Sequence, residues 1–242
     1  MTSLSTPSAT EPATAPDLRH ASRVLAAVLL PIGPALIAAL RFVLPYETNQ
    51  SDTRIVREIA AHQTAANAIV WLGFAACLVM VPTVLWVGRV AARRSPRLTA
   101  VALCLLVPGY ASLAFLVSSD AVALYAVKHG FSTTTAADLY TAMHPTTAVA
   151  GVLFVLGHVF GTILLGVALL RGGEMPTWAA WVLVVAQPLH FVAAVVIGSH
   201  PLDLVAWGLN AVAFGVVSRM VLGLTDDEWA PRPAPRRQKA ER

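Results

Sequence analysis

Five side chains that could do chemistry lie inside long apolar runs of the sequence. They comprise one guanidinium, two imidazoles and two carboxamides, on Arg41, His158, Gln187, His190 and Asn210. Polar and ionisable groups are costly at membrane depth, so each of them is a functional candidate by default. We interpret them as candidates for a bundle interior, where they would line a solute pathway or hold a cofactor.

His158 and His190 are the two interior candidates that could act as a pair. Gly157 and Gly161 are four residues apart, a spacing that lets another helix approach closely and turns His158 toward the bundle interior. One interpretation is that both imidazoles are neutral hydrogen-bonding groups between helices, each contributing about 0.6 kcal/mol. The other is that they are the two axial ligands of a b-type haem.

A second set of candidates lies near the ends of the apolar runs. The distribution of basic residues predicts that these ends are on the outer side of the membrane. These residues are His62, Asp120, His144, His200 and Asp203. The turn that begins at Gly198 places His200 and Asp203 three residues apart, and an imidazole with a carboxylate suits a zinc site or an acid–base pair. No HExxH or HxxxH spacing accompanies them. The alternative is that the ends of membrane spans need polar capping residues.

Motifs for nucleotide or serine chemistry are absent from the sequence. It contains no Walker loop, no GxGxxG and no GxSxG. The residues therefore assign no catalytic group and no metal ligand, and whether the chain is an enzyme stays open at this point. We expect no resident cofactor, with haem b and zinc as the alternatives.

The elements that position these residues follow from the composition. Of 242 residues, 57% are hydrophobic and 12% are charged, and the mean hydropathy is +0.68. A soluble domain has about 25% charged residues, so a soluble enzyme and a disordered chain are excluded. About 20 apolar residues cross a bilayer as a helix, whereas a β-barrel needs short alternating segments. We predict an all-α transmembrane bundle of six helices at Val24–Leu44, Ala66–Val87, Leu98–Val117, Thr146–Leu170, Trp178–Ile197 and Leu202–Leu222.

The basic residues predict how these helices are oriented. With the N-terminus inside, 13 of the 17 Lys and Arg residues lie on the cytoplasmic side, and four lie outside, namely Arg41, Arg54, Arg57 and Lys128. This asymmetry follows the positive-inside rule and places both termini in the cytoplasm and the chain in the cell membrane. The net charge of +4 therefore marks topology and gives no sign of a nucleic-acid partner.

The segments outside the helices divide the chain into three parts. Residues 1–20 are predicted to be a disordered cytoplasmic tail, 21–224 the transmembrane domain, and 225–242 a Pro- and Arg-rich cytoplasmic tail. Two outer loops predict short helices of their own. One begins at Ser51-Asp52, and the other begins with a capping box at Thr135 and runs to about Met143, after a helix end with a left-handed Gly130.

Several short segments carry a resemblance over about residues 20–225. They are Leu40–Tyr46, Trp71–Gly73, Val107–Tyr110, Gly157–Val159, Gln187–Phe191 and Gly198–Asp203. In these segments the chain resembles uncharacterised bacterial six-span integral membrane proteins that are grouped as domains of unknown function. The resemblance implies the six-span architecture and brings no chemistry with it.

Two classes of function are compatible with these residues. The first, which we favour, is a non-enzymatic membrane module: a small-solute permease, a sensor or an accessory protein. The alternative is a membrane enzyme or redox protein that uses the outer His and Asp residues or a haem between His158 and His190. The expected partners are the lipid bilayer and a small-molecule ligand, and the sequence leaves the oligomeric state open.

Overall fold

The computed structural model describes residues 17–141 and 144–231, and every regular element within these ranges is helical. Six helices are long and apolar enough to cross a membrane. They are α1 (Arg19–Val43), α3 (Gln63–Ala91), α4 (Pro96–Lys128), α6 (Pro145–Gly172), α7 (Thr177–Phe191) with its continuation Val192–Ile197, and α8 (His200–Gly223). The predicted six-helix bundle is thus confirmed. The third span is longer than predicted, because the helix continues to Lys128 instead of ending at Val117.

The ends of the spans follow from local chemistry. His144 caps α6 by accepting the backbone N–H of Thr146, and Pro145 occupies the first turn, where its missing N–H costs nothing. At the other end of α6, Gly173 adopts a left-handed conformation with φ of 62°. The last turn of the fifth span is a π-helix that ends at Gly198, with φ of 72°.

Two short helices, α2 (Asp52–Ala61) and α5 (Thr133–Thr141), cover one end of the bundle, which we call the capped end. Both short helices are as expected, and Gly130 has the left-handed φ of 75°. The start of α5 differs from the prediction, because Ser132 Oγ accepts the N–H of Thr135 at 3.1 Å and the helix begins at Thr133. The predicted end at Met143 lies outside the described residues.

The opposite end of the bundle carries both ends of the described chain, and we call it the terminal end. Here a last short helix, α9 (Asp226–Trp229), folds against the start of α1. The indole N–H of Trp229 donates to Ser22 Oγ at 3.1 Å, its ring lies 4.7 Å from the Arg89 guanidinium, and the residue is buried. The beginning of the predicted C-terminal tail is therefore packed on the bundle. Residues 1–16 and 232–242 of the two predicted tails lie outside the described residues.

Glycine contacts bring α4 and α6 close together. A Cβ on Gly157 would lie 2.5 Å from the carbonyl oxygen of Leu105 and 2.9 Å from the Cα of Gly109. A Cβ on Gly161 would meet the side chain of Leu106 at 2.6 Å. The prediction that these two glycines admit another helix is confirmed, and the partner is α4. This close approach fixes the inward orientation of His158, which is 1% exposed.

Candidate functional site

A cavity of about 440 Å³ lies between α1, α4, α6, α7 and α8 in the half of the bundle next to the capped end. Most of its wall is aliphatic or aromatic. Ionisable side chains interrupt this wall at a few positions, which are Arg41, Tyr46, Asp120, Tyr140, His158 and His190. The structure thus brings together three predicted interior candidates and one outer candidate, Asp120, around a single space.

Asp203 does not line the cavity, but its carboxylate contacts two residues that do, Arg41 and His190. Its side chain is fully buried in the first turn of α8, where one carboxylate oxygen accepts from Arg41 Nε and the other contacts His190 Nδ1. A carboxylate paired with a guanidinium is ionised and can only accept hydrogen bonds. The indole N–H of Trp207 donates to the same Nδ1 at 3.0 Å, so this ring nitrogen faces both a carboxylate oxygen and an N–H donor.

His158 lies beside His190, with 5.2 Å between the ring centroids, and its ring stacks on that of Trp207. Its Nδ1–H donates to the carbonyl oxygen of Phe154 at 2.5 Å, which leaves Nε2 as an acceptor. This Nε2 is buried and has no hydrogen-bond partner within the described residues. Buried polar atoms without a partner are rare in proteins and often mark the place of a bound water or ligand.

Asp120 lies on α4 at the side of the cavity nearest the capped end. The hydroxyl of Tyr46 donates to its carboxylate at 2.5 Å, and Tyr140 interacts with the same hydroxyl. Burial raises the pKa of Tyr46 well above its ordinary value, and burial also raises the pKa of Tyr140. Both phenols are therefore neutral near pH 7, and Tyr46 is a hydrogen-bond donor to Asp120.

The two predicted carboxamides lie deeper in the bundle. Gln187 precedes His190 by three residues and Asn210 follows Trp207 by three, so on antiparallel helices they share one layer, about a turn below the imidazoles. Both are buried, and Gln187 Nε2, Gln187 Oε1 and Asn210 Oδ1 have no partner within the described residues. They do not line the cavity.

The outer candidates do not form one site. His62 is exposed between α2 and α3, with its Nε2 3.8 Å from a carboxylate oxygen of Glu58, and His144 is the N-cap of α6. His200 donates from Nε2 to the carbonyl oxygen of Tyr46 at 3.0 Å and is not paired with Asp203. Among the described residues, no three His, Cys, Asp or Glu side chains are grouped as metal ligands. The zinc and haem hypotheses stay predictions.

Sequence reasoning missed three residues of the site, namely Tyr46, Tyr140 and Trp207. Tyrosine and tryptophan near the ends of spans are common as interfacial anchors, so their type carries no signal of a buried site. The sequence does contain one indication for Trp207. It follows Asp203 by four residues, so the two side chains lie on the same face of a helix.

Fold and site together define a six-span helical membrane protein with a partly polar cavity toward one end. The family model described as a domain of unknown function (DUF4386) matches residues 22–224, and the chain belongs to this family. The resemblance drawn from the sequence is thereby confirmed. No curated protein and no solved structure matches the chain.

Proposed function

We propose that this chain is a non-enzymatic membrane protein that binds a small, mostly apolar solute in the cavity, as a permease, a sensor or an accessory module. The observation that carries the proposal is the cavity itself, about 440 Å³ with a mainly apolar wall and a few convergent polar groups. Small-molecule sites are typically concave spaces of about 300–1,000 Å³ with this kind of lining. The apolar wall would bind the body of the solute, and the polar groups would orient it.

The charge distribution supports an entry side for the solute. The basic residues predicted to be cytoplasmic include Arg19, Arg23, Arg89 and Arg93, and all four lie at the terminal end, where they contact α9. By the positive-inside rule, we place this end on the cytoplasmic side of the cell membrane. The cavity would then lie in the outer half of the bilayer, and α2 and α5 would cover it on the external side.

Gly151 offers a direct test, because it lines the cavity and a Cβ on it would meet no atom within 4 Å. In Gly151→Leu the new side chain enters the open space and occupies it. Gly215→Leu is the matched control, since Gly215 also has no atom within 4 Å of a Cβ but does not line the cavity.

The experiment measures the melting temperature of the protein in lipid nanodiscs with and without phenol or cyclohexanol, two small neutral probes with an apolar body. A ligand at about 100 times its Kd stabilises the folded state by about 2.7 kcal/mol. We expect a rise in melting temperature for the wild type and for Gly215→Leu, and none for Gly151→Leu. Equal shifts in all three proteins would mean that the probes act through the lipid, and the proposal would then be wrong.

The redox and metal alternatives are tested on the same preparation. A Soret band in the absorption spectrum that disappears in His158→Leu would replace the proposed solute by a haem between His158 and His190. Stoichiometric zinc that is lost in His200→Ala would place a metal at the capped end instead. Without either signal, solute binding remains the function that the cavity supports.

A further inference from the structure

The ionisable side chains at the cavity do not balance one another in charge. Arg41 and Asp203 form an ion pair and cancel. Tyr46 and Tyr140 are neutral, because burial raises the pKa of both phenols. His158 donates its Nδ1–H to the carbonyl oxygen of Phe154, and His190 Nδ1 lies between a carboxylate oxygen of Asp203 and the N–H of Trp207. Among the charged groups facing this space, the carboxylate of Asp120 remains.

A neutral state of both imidazoles is consistent with their surroundings. Asp203 is a single carboxylate, and it already faces the guanidinium of Arg41. Burial disfavours the charged form of both imidazoles, and Arg41 would be a like charge beside a protonated His190. His158 lies next to His190 and bonds to a backbone carbonyl, so no carboxylate contacts its ring.

Asp120 has no cation of its own. Its hydrogen-bond donor is the neutral hydroxyl of Tyr46, and no salt bridge joins it to a basic side chain within ranges 17–141 and 144–231. Arg41 is close enough to attract it but is bound to Asp203. Placing an uncompensated carboxylate in a mostly apolar cavity is costly, and a positively charged ligand would remove that cost.

One further polar atom of the cavity wall lacks a hydrogen-bond donor. His158 Nε2 is an acceptor, and it is buried without a hydrogen-bond partner among the residues that the structure describes. The Asp120 carboxylate and His158 Nε2 are thus acceptors in the same cavity wall, and a primary ammonium is a group that only donates.

We propose that the cavity selects an organic monocation: a primary amine in its ammonium form with a short apolar body, held by the carboxylate of Asp120. The inference rests on the proposed solute-binding function and names the chemical class of the solute. The ammonium would lie against the carboxylate, and the alkyl part would pack on the aliphatic wall. An anionic solute of the same size would be repelled by Asp120.

The test compares three probes of equal chain length in nanodiscs at pH 7, namely n-butylammonium, butan-1-ol and butyrate. We expect n-butylammonium to bind at least tenfold more tightly than butan-1-ol, and butyrate not to bind. In Asp120→Asn the affinity for n-butylammonium should fall at least tenfold more than the affinity for butan-1-ol. Asp120→Glu, which keeps the charge, should restore most of the preference. Asp138→Asn removes an exposed carboxylate of α5 and is the control that should change neither affinity.

The outcomes separate this inference from the function on which it rests. If butan-1-ol binds as tightly as n-butylammonium, and both are lost in Gly151→Leu, the cavity binds solutes but the preference for a cation is wrong. If Asp120→Asn lowers the affinity for both probes equally, the charge of Asp120 does not select the ligand, and the inference is again overturned. If none of the probes binds, the proposed function itself fails. Should Asp120→Asn not fold, the affinity ratio of the wild type still decides.

Discussion

The carboxylate of Asp203 accepts from two side chains that come from different spans. Arg41 reaches it from α1 and His190 from α7, so a single residue of α8 connects three membrane helices. Removing one partner of a buried ion pair leaves the other charge without compensation, which typically costs about 3–5 kcal/mol. The polar site is therefore also a structural junction of the bundle.

A double-mutant cycle tests this junction. We expect Arg41→Gln and Asp203→Asn each to lower the free energy of unfolding by about 3 kcal/mol, and the double variant to lose clearly less than the sum, because neither charge is then left alone. The measurement is denaturant unfolding in detergent micelles. Arg54→Gln, at an exposed position of α2, is the control and should change stability by less than about 0.5 kcal/mol. Additive losses would show that the two residues act independently.

The sequence predicts these residues unequally, and the reason is physical. His158 and His190 stand out because imidazoles are rare within apolar runs. The sequence pattern groups Asp203 with His200, because the two are neighbours in the chain, whereas in the structure they have different partners. On the helix, the face that Asp203 shares with Trp207 points inward, while His200 lies at the helix start and bonds to the loop. The pairing of Asp120 with Tyr46 depends on long-range packing, which no local pattern shows.

At the scale of elements, the close approach of α4 and α6 depends on glycines. Gly109 and Gly157 face each other, and the atoms nearest to an added Cβ on Gly157 belong to backbone, which cannot move aside as a flexible side chain can. The two helices would have to separate, and this separation would also shift His158 in the cavity wall.

We therefore expect Gly157→Ala to lower the free energy of unfolding by about 1–3 kcal/mol, the usual cost of overpacking. Gly208→Ala is the matched control on α8, where a Cβ would meet no atom within 4 Å. That variant should be as stable as the wild type or slightly more stable, because alanine favours helix by about 1 kcal/mol over glycine. Thermal unfolding in one detergent compares the three proteins, and equal melting temperatures for both variants would contradict the proposed contact.

The element boundaries also show where sequence reasoning stops. Apolar runs locate all six spans, but hydropathy falls at Ser118-Ser119-Asp120 and ends the predicted third span too early. The helix continues because Ala123, Leu124 and Ala126 are buried in the small core beneath α2 and α5. Tertiary burial decides the length of this helix, and a window of hydropathy contains no information about it.

At the scale of the whole molecule, the distribution of charge has two separate roles. Few charged residues are present, and most basic residues that the structure describes lie at the terminal end, whereas the cavity with its unbalanced carboxylate lies toward the capped end. We propose that the basic residues orient the bundle in the membrane and that the carboxylate selects the charge of the ligand. An orientation with the terminal end inside exposes the cavity to solutes from outside the cell.

Cysteine labelling tests this orientation in intact cells. Cys77 and Cys104 are first replaced by alanine, and the reporters are Thr134→Cys at the capped end and Thr177→Cys at the terminal end, both at exposed positions. Because the basic residues should remain in the cytoplasm, a membrane-impermeant maleimide should label the Thr134→Cys variant in intact cells and the Thr177→Cys variant only after permeabilisation. The reverse pattern would turn the cavity toward the cytoplasm, and the solute of this protein would then have to come from inside the cell.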